Sequence, residues 1–296
     1  MNLKYQILWI ENEKDWGESI EDQIQEYIED LGFIYEKKLI SKEEKDISYN
    51  DYDLILMDLN LADQPNGAEL TSRIRDLGVY TDVVFYSAIG IDELRAKGRE
   101  KELEGVFYSG RTPETAFINR VKAVINATLK KVQDLNNLRG LVMAEVSELD
   151  ATMDKIIPSY FNNDERMELF HNHITANREK TLQKSLNCNN KCQLFWRNSN
   201  IQEIVPQLDS SQKAHAIKII LEQTKPDLYS KGNFYEDYLA AIITPRNELA
   251  HCKSEIREGR EILLTRKGDK CFDQAFFKEI RKNVLKYSSI FNELLQ

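Results

Sequence analysis

The feature that most constrains this chain is a series of short apolar runs in its first hundred residues, each giving way to polar residues. Residues 6–10 (QILWI), 33–39, 53–57 (DLILM), 82–86 (DVVFY) and 105–108 (GVFY) read as strands. Helical patterns stand between most of them, at residues 16–31, 68–77 and 91–104. A strand that is apolar on nearly every residue must be covered on both faces. The spacing therefore predicts an α/β doubly wound parallel five-stranded sheet. In such sheets the functional crevice opens at the carboxyl ends of the strands. The polar residues that fall there are Glu11, Asn12 and Glu13 after the first strand, Asp58 after the third, Ser87 after the fourth, and Tyr108 and Arg111 at and beyond the fifth.

These residue types suit phosphoryl chemistry. A carboxylate exposed at a strand end can attack a phosphoryl donor. A neighbouring acidic cluster suits Mg²⁺, which prefers hard oxygen ligands. A hydroxyl can donate to a phosphoryl oxygen, and a fixed cation can offset the charge of the acyl phosphate. The order and spacing of these residues over residues 1–130, with the segment DLILMDLNLADQPNGAEL and its Gly67, resemble a response-regulator receiver domain of flavodoxin-like fold. The resemblance implies Asp58 as phosphoacceptor. It implies Glu11, Asn12, Ser87, Tyr108 and Arg111 as pocket residues, and Glu11, Asn12 and Asp58 as Mg²⁺ ligands. It also implies a sensor histidine kinase or phosphotransfer protein as partner, and Ser87 and Tyr108 reorienting together. Two positions depart from the family. Glu11-Asn12 replaces a pair of acidic residues, and Arg111 replaces a lysine, which is not an equivalent cation. The alternative is thus a degenerate receiver that docks or dimerises without phosphorylation.

A chain of 296 residues exceeds what one hydrophobic core usually organises, so two domains are expected. Apolar positions from Val121 to Leu138 step by three or four. They predict one long helix, two nearly collinear helices, or a last receiver helix followed by a separate one near Leu138. The expected layout is a receiver domain at 1–130, a connecting helix at 131–145 and an all-α helical bundle at 146–296. Helices are expected at 141–157, 164–186, 210–223, 234–243, 246–255 and 276–295, with a small hairpin around 261–269. Charge is uneven: residues 1–134 carry 17 Lys+Arg against 27 Asp+Glu, and the rest carries 23 against 22. The first half would repel nucleic acid, so any such contact belongs to the second.

One segment of the second half stands out: Thr244-Pro245-Arg246-Asn247-Glu248-Leu249-Ala250-His251. Thr244 suits an N-cap and Pro245 a first helical turn. On the helix that follows, Asn247 and His251 lie about 40° apart, and Arg246 lies about 140° from His251 with a long side chain that can curl back. A cation, an amide and an imidazole near one point suit metal-free RNA cleavage. His251 would move protons, Arg246 would hold the phosphate, and Asn247 would orient one of them. The pattern resembles that of HEPN-domain ribonucleases, which are helical bundles. The resemblance implies catalysis by Arg246, Asn247 and His251, a composite site across a homodimer, no cofactor for cleavage and a 2′,3′-cyclic phosphate product. A requirement for a 2′-hydroxyl makes RNA the substrate and DNA an unexpected one. Glu145 or Glu148 on the first helix of the bundle is a candidate for a supporting acid.

Other signals carry less. His171-Asn172-His173 sits in a helical pattern, and Cys188 and Cys192 are too loosely spaced to define a zinc site. Trp196 reads as core, and the basic residues between Lys253 and Lys270 as a solvated face that could also meet an RNA backbone. No helix-turn-helix pattern suggests a transcriptional regulator. No apolar run is long enough to span a bilayer, and the first residues lack a signal-peptide pattern, so no membrane association and a cytoplasmic location are expected. The sequence thus predicts a receiver controlling a HEPN-type endoribonuclease, with a role in toxicity or antiviral defence by analogy. The alternative is a non-enzymatic signalling adaptor whose HEPN-like domain binds protein or RNA.

Overall fold

The computed structural model describes residues 3–44, 46–62, 65–132, 135–182, 200–226, 233–251, 253–257, 260–265, 268–271 and 273–296. The chain divides into two compact units, Met1–Leu138 and Arg139–Gln296.

The first unit is the expected doubly wound sheet. Its strands are β1 (Lys4–Ile10), β2 (Ile34–Ile40), β3 (Leu54–Asp58), β4 (Val83–Ser87) and β5 (Val106–Gly110). They run parallel in the order β2-β1-β3-β4-β5, which is the flavodoxin-like order. Helices α1 (Lys14–Asp30), α2 (Gly67–Asp76), α3 (Ile91–Glu100) and α4 (Glu114–Val132) complete it. Strand β3 explains why the runs look continuously apolar. Leu54 and Leu56 join one core with Ile20, Ile24 and Ile28 of α1 and Phe117, Val121 and Ile125 of α4. Ile55 and Met57 join another with Leu70 and Ile74 of α2 and Leu94 of α3. Both faces are dry, so alternation disappears.

The second unit is helical, with a small added sheet. Its helices are α5 (Leu135–Tyr160, which begins in the first unit), α6 (Asp164–Leu182), the short α7 (Ile201–Ile204), α8 (Ser210–Thr224), α9 (Phe234–Tyr238), α10 (Thr244–His251) and α11 (Gln274–Leu294). The buried stripe of α5, Val142, Val146, Leu149, Met153 and Ile156, repeats at three and four residues, as a helix facing a bundle core requires. An aromatic cluster closes the core beside α11: Tyr238 lies edge-on to Tyr287 with ring centres 4.9 Å apart, and Phe234 and Phe291 flank them. Among the described residues no helix is long and apolar enough to cross a membrane.

Two local expectations change. Thr244 does not cap a helix. Helical backbone runs without a break from Phe234, where Asn233 supplies the cap by accepting from the Glu236 amide, through a π-turn at Leu239–Ile243 into α10. The wide turn gives Pro245 room. In a regular α-helix its ring would meet the carbonyl four residues earlier and its missing N–H would break the ladder. The helix expected over 246–255 ends at His251. Residues Lys253–Arg257 form β6, which pairs antiparallel with β7 (Arg260–Thr265), itself paired with β8 (Gly268–Cys271). The anticipated hairpin is thus one part of a three-stranded sheet. Cys188, Cys192 and Trp196 lie outside the described residues.

Candidate functional site

At the carboxyl ends of β1, β3 and β5 the polar residues converge on one guanidinium. Arg111 is nearly buried, as are Glu11, Asp58 and Ser87. Its Nη2 lies 2.5 Å from Glu11 Oε2 and 3.3 Å from Asp58 Oδ2, and its Nη1 lies 2.8 Å from Glu13 Oε2. The indole of Trp16 covers the guanidinium at 4.6 Å. Glu11 is saturated with donors. Its Oε1 accepts the Glu13 amide at 2.8 Å, and its Oε2 also accepts the Tyr86 hydroxyl at 3.0 Å, which in turn accepts the Trp9 indole N–H at 2.7 Å. The Asn12 amide, oriented so that its nitrogen donates, reaches the Asn60 carbonyl at 2.6 Å and Glu11 Oε1 at 3.2 Å.

Burial pushes the Asp58 carboxyl up to about 7. Arg111 opposes the rise and Glu11 adds to it. Among the described residues Asp58 Oδ1 is buried without a hydrogen-bond partner, while the backbone amides of Asn60 and Leu59 partly offset the rise. Burial alone would pull Arg111 down, but Asp58 and Glu11 outweigh it and keep the guanidinium charged. Ser87 Oγ receives long contacts of 3.4 Å from the Asn60 amide and the Ile89 N–H. Tyr108 points toward α3. A Cβ on Gly98 would stand 1.9 Å from its hydroxyl, so only glycine leaves space for the ring there. Ser87, Tyr108 and Arg111 line a cavity of about 370 Å³ together with Arg120. Spacing placed Glu13 at the end of the first strand but did not reveal Trp16 or Tyr86. Only the fold shows which groups a guanidinium can reach.

In the second unit the Arg-Asn-His motif lies on α10. Arg246 is half-buried, and Asn247 and His251 are exposed. Arg246 Nη1 donates to Asn247 Oδ1 at 2.9 Å, and Nη2 lies 3.3 Å from Ser210 Oγ, the first residue of α8. The Ser210 hydroxyl donates to Asp150 Oδ2 on α5 at 2.5 Å. One turn along α8, the buried Lys213 pairs with Asp154 at 2.7 Å. Two cations and two carboxylates thus alternate between α5, α8 and α10. Burial raises the Asp150 carboxyl, with Ser210, Lys213 and Arg246 all opposing. His251 shares a helix face with Asn247, one turn further on. Arg139 Nε fixes the end of this helix by donating to the Leu249 carbonyl at 2.7 Å. Of the acids expected to help, Glu145 is buried and Glu148 faces outward, and it is Asp150 that reaches the motif. Its signal was an acid at the edge of an apolar stripe, between Leu149 and Met153.

No protein-family model matches the chain, and no curated protein matches it. Among solved structures, similarity falls on the N-terminal part. A two-component response regulator from Clostridium difficile is 21% identical, with 42% of this chain and 97% of that one covered and a TM-score of 0.32. The receiver domain of a Francisella response regulator is 18% identical, with 42% and 99% covered and a TM-score of 0.34. The phosphorylated cyanobacterial phytochrome response regulator RcpA is 17% identical, with 43% and 96% covered and a TM-score of 0.33. The fold of the first unit rests on its own strand order: it is a receiver-type, flavodoxin-like sheet followed by a helical unit.

Proposed function

We propose that this chain is a signalling effector in which the receiver-type unit regulates a metal-independent endoribonuclease of HEPN type in the helical unit. The observation that supports it most is the orientation of Arg246. Asp150, through Ser210, and Asn247 hold the guanidinium on the helix that exposes His251. A guanidinium held by fixed acceptors is preorganised, so little is lost in reorganisation when charge develops on a phosphate.

In the proposed reaction the ribose 2′-oxygen attacks phosphorus while the bond to the 5′-oxygen breaks. His251 takes the 2′ proton and returns it to the departing 5′-oxygen. Arg246 offsets the added charge on the phosphorane. The products are a 2′,3′-cyclic phosphate and a 5′-hydroxyl. Two chains pair so that their motifs face one RNA. Events at the Asp58 pocket, whether phosphoryl transfer from a kinase-type partner or direct docking, bias that pairing.

The test is cleavage of structured RNA in EDTA by the full chain and by His251→Ala and Arg246→Ala variants. The wild type is expected to release cyclic-phosphate ends, and each variant to lose about 100-fold or more in rate. Cleavage that survives in both variants refutes the site. A second reading, a signalling adaptor without catalysis, is favoured by the burial of Asp58 beside Arg111. Absence of cleavage in every condition, including acetyl phosphate with Mg²⁺, selects it.

A further inference from the structure

Phosphoryl transfer on the receiver resemblance would place Mg²⁺ among Glu11, Asn12 and Asp58. Such an ion needs oxygens with free lone pairs at about 2.0–2.1 Å and space for several waters. The residues present do not fit it. Both oxygens of Glu11 already accept donors, three of them from Arg111, Tyr86 and the Glu13 amide. Asn12 turns its amide nitrogen to the Asn60 carbonyl and to Glu11. Among the described residues no group of three His, Cys, Asp or Glu side chains is placed to hold a metal. What lies among the carboxylates is Arg111, within 3.3 Å of Glu11, Glu13 and Asp58, under the ring of Trp16.

We propose that the Arg111 guanidinium is the resident cation of this pocket, joining Glu11, Asp58 and Glu13 where a divalent ion would otherwise neutralise them, and that the pocket takes up no Mg²⁺ while Arg111 is present. The planar fork explains the residue type. Its two terminal nitrogens reach three carboxylates, two on the loop after β1 and one at the end of β3, which the point charge of a lysine does not match. This inference concerns the first unit alone and stands apart from any nuclease activity in the second.

The experiment compares Mg²⁺ binding and thermal unfolding of the full chain with those of Arg111→Ala, using NaCl at matched ionic strength as the control. The wild type is expected to give no saturable calorimetric signal and no Mg²⁺-specific change in Tm. Arg111→Ala, left with uncompensated buried carboxylates, is expected to bind Mg²⁺ saturably and to gain several degrees in Tm from it. Saturable binding by the wild type that Glu11→Gln abolishes overturns the proposal. So does a folded Arg111→Ala chain indifferent to Mg²⁺. Should that variant fail to fold, Arg111→Lys leaves at least one carboxylate uncovered. It is expected to show Mg²⁺ uptake that the wild type lacks, and its failure to do so overturns the proposal equally.

Discussion

At the scale of single residues, Asp58 carries the clearest energetic consequence. Its carboxyl is buried and raised from an ordinary 3.8 to about 7, with burial as the main cause. Between these values the folded chain binds a proton that the unfolded chain has released, so stability falls as pH rises across the interval and then levels off. The displacement corresponds to a ceiling of about 4 kcal/mol. Asp58→Asn removes the ionisation and keeps an oxygen for Arg111. Relative to wild type, the variant is expected to gain about 2 kcal/mol in urea unfolding between pH 5 and pH 8. An equal difference at both pH values would show that Asp58 ionises as freely folded as unfolded. The residue itself was legible in the sequence, because a polar residue ending an all-apolar strand has few other readings. Its surroundings were not. Trp16 and Tyr86 are ordinary residues until α1 and β4 bring them against Arg111.

At the scale of elements, the junction of β3 and α2 fixes where Asp58 stands. Asn66 caps α2 by accepting from the Glu69 amide at 3.0 Å, and the Gly67 N–H bonds the Leu59 carbonyl at 3.0 Å. A Cβ on Gly67 would stand 2.0 Å from the Asp58 carbonyl oxygen, which is backbone and cannot swing aside. Gly67→Ala must therefore push α2 off the sheet, at a cost of about 2–3 kcal/mol in chemical denaturation. Gly140→Ala is the contrast. Among the described residues nothing beyond its own helix backbone lies within 4 Å of a Cβ there, and alanine inside α5 is expected to be neutral or stabilising by up to about 1 kcal/mol. Similar losses for both would contradict this account of the junction. Periodicity revealed the central strands because they are buried on both faces. It missed β6, whose only large apolar residue, Ile256, is 78% exposed. A strand that buries little has no alternation to read, and its pairing with β7 is a long-range choice that local pattern does not encode. The π-turn before Pro245 escaped for a related reason: proline signalled a helix start, and only the packed bundle shows the helix continuing through it.

At the scale of the whole molecule, the acidic sheet unit and the nearly neutral helical unit divide the labour that the proposed function requires. The acidic first unit would repel phosphates, so the proposal places any RNA contact on the second. The helical unit holds Arg246 by way of Asp150 and Ser210 yet leaves His251 exposed at the end of α10. An exposed imidazole on the same helix as an anchored cation suits a site that a second chain completes. If two motifs share one RNA, a dimer of Arg246→Ala chains has no phosphate-holding cation, and a dimer of His251→Ala chains has no proton-transfer group. Mixing the two variants and allowing subunits to exchange yields dimers in which one chain supplies the arginine and the other the histidine. Such mixtures are expected to recover RNA cleavage well above the sum of the separate variants, with recovery rising as exchange proceeds. Recovery that never exceeds that sum would mean that each chain carries a complete site, and that the receiver-type unit must act on its own partner domain rather than on how two copies meet.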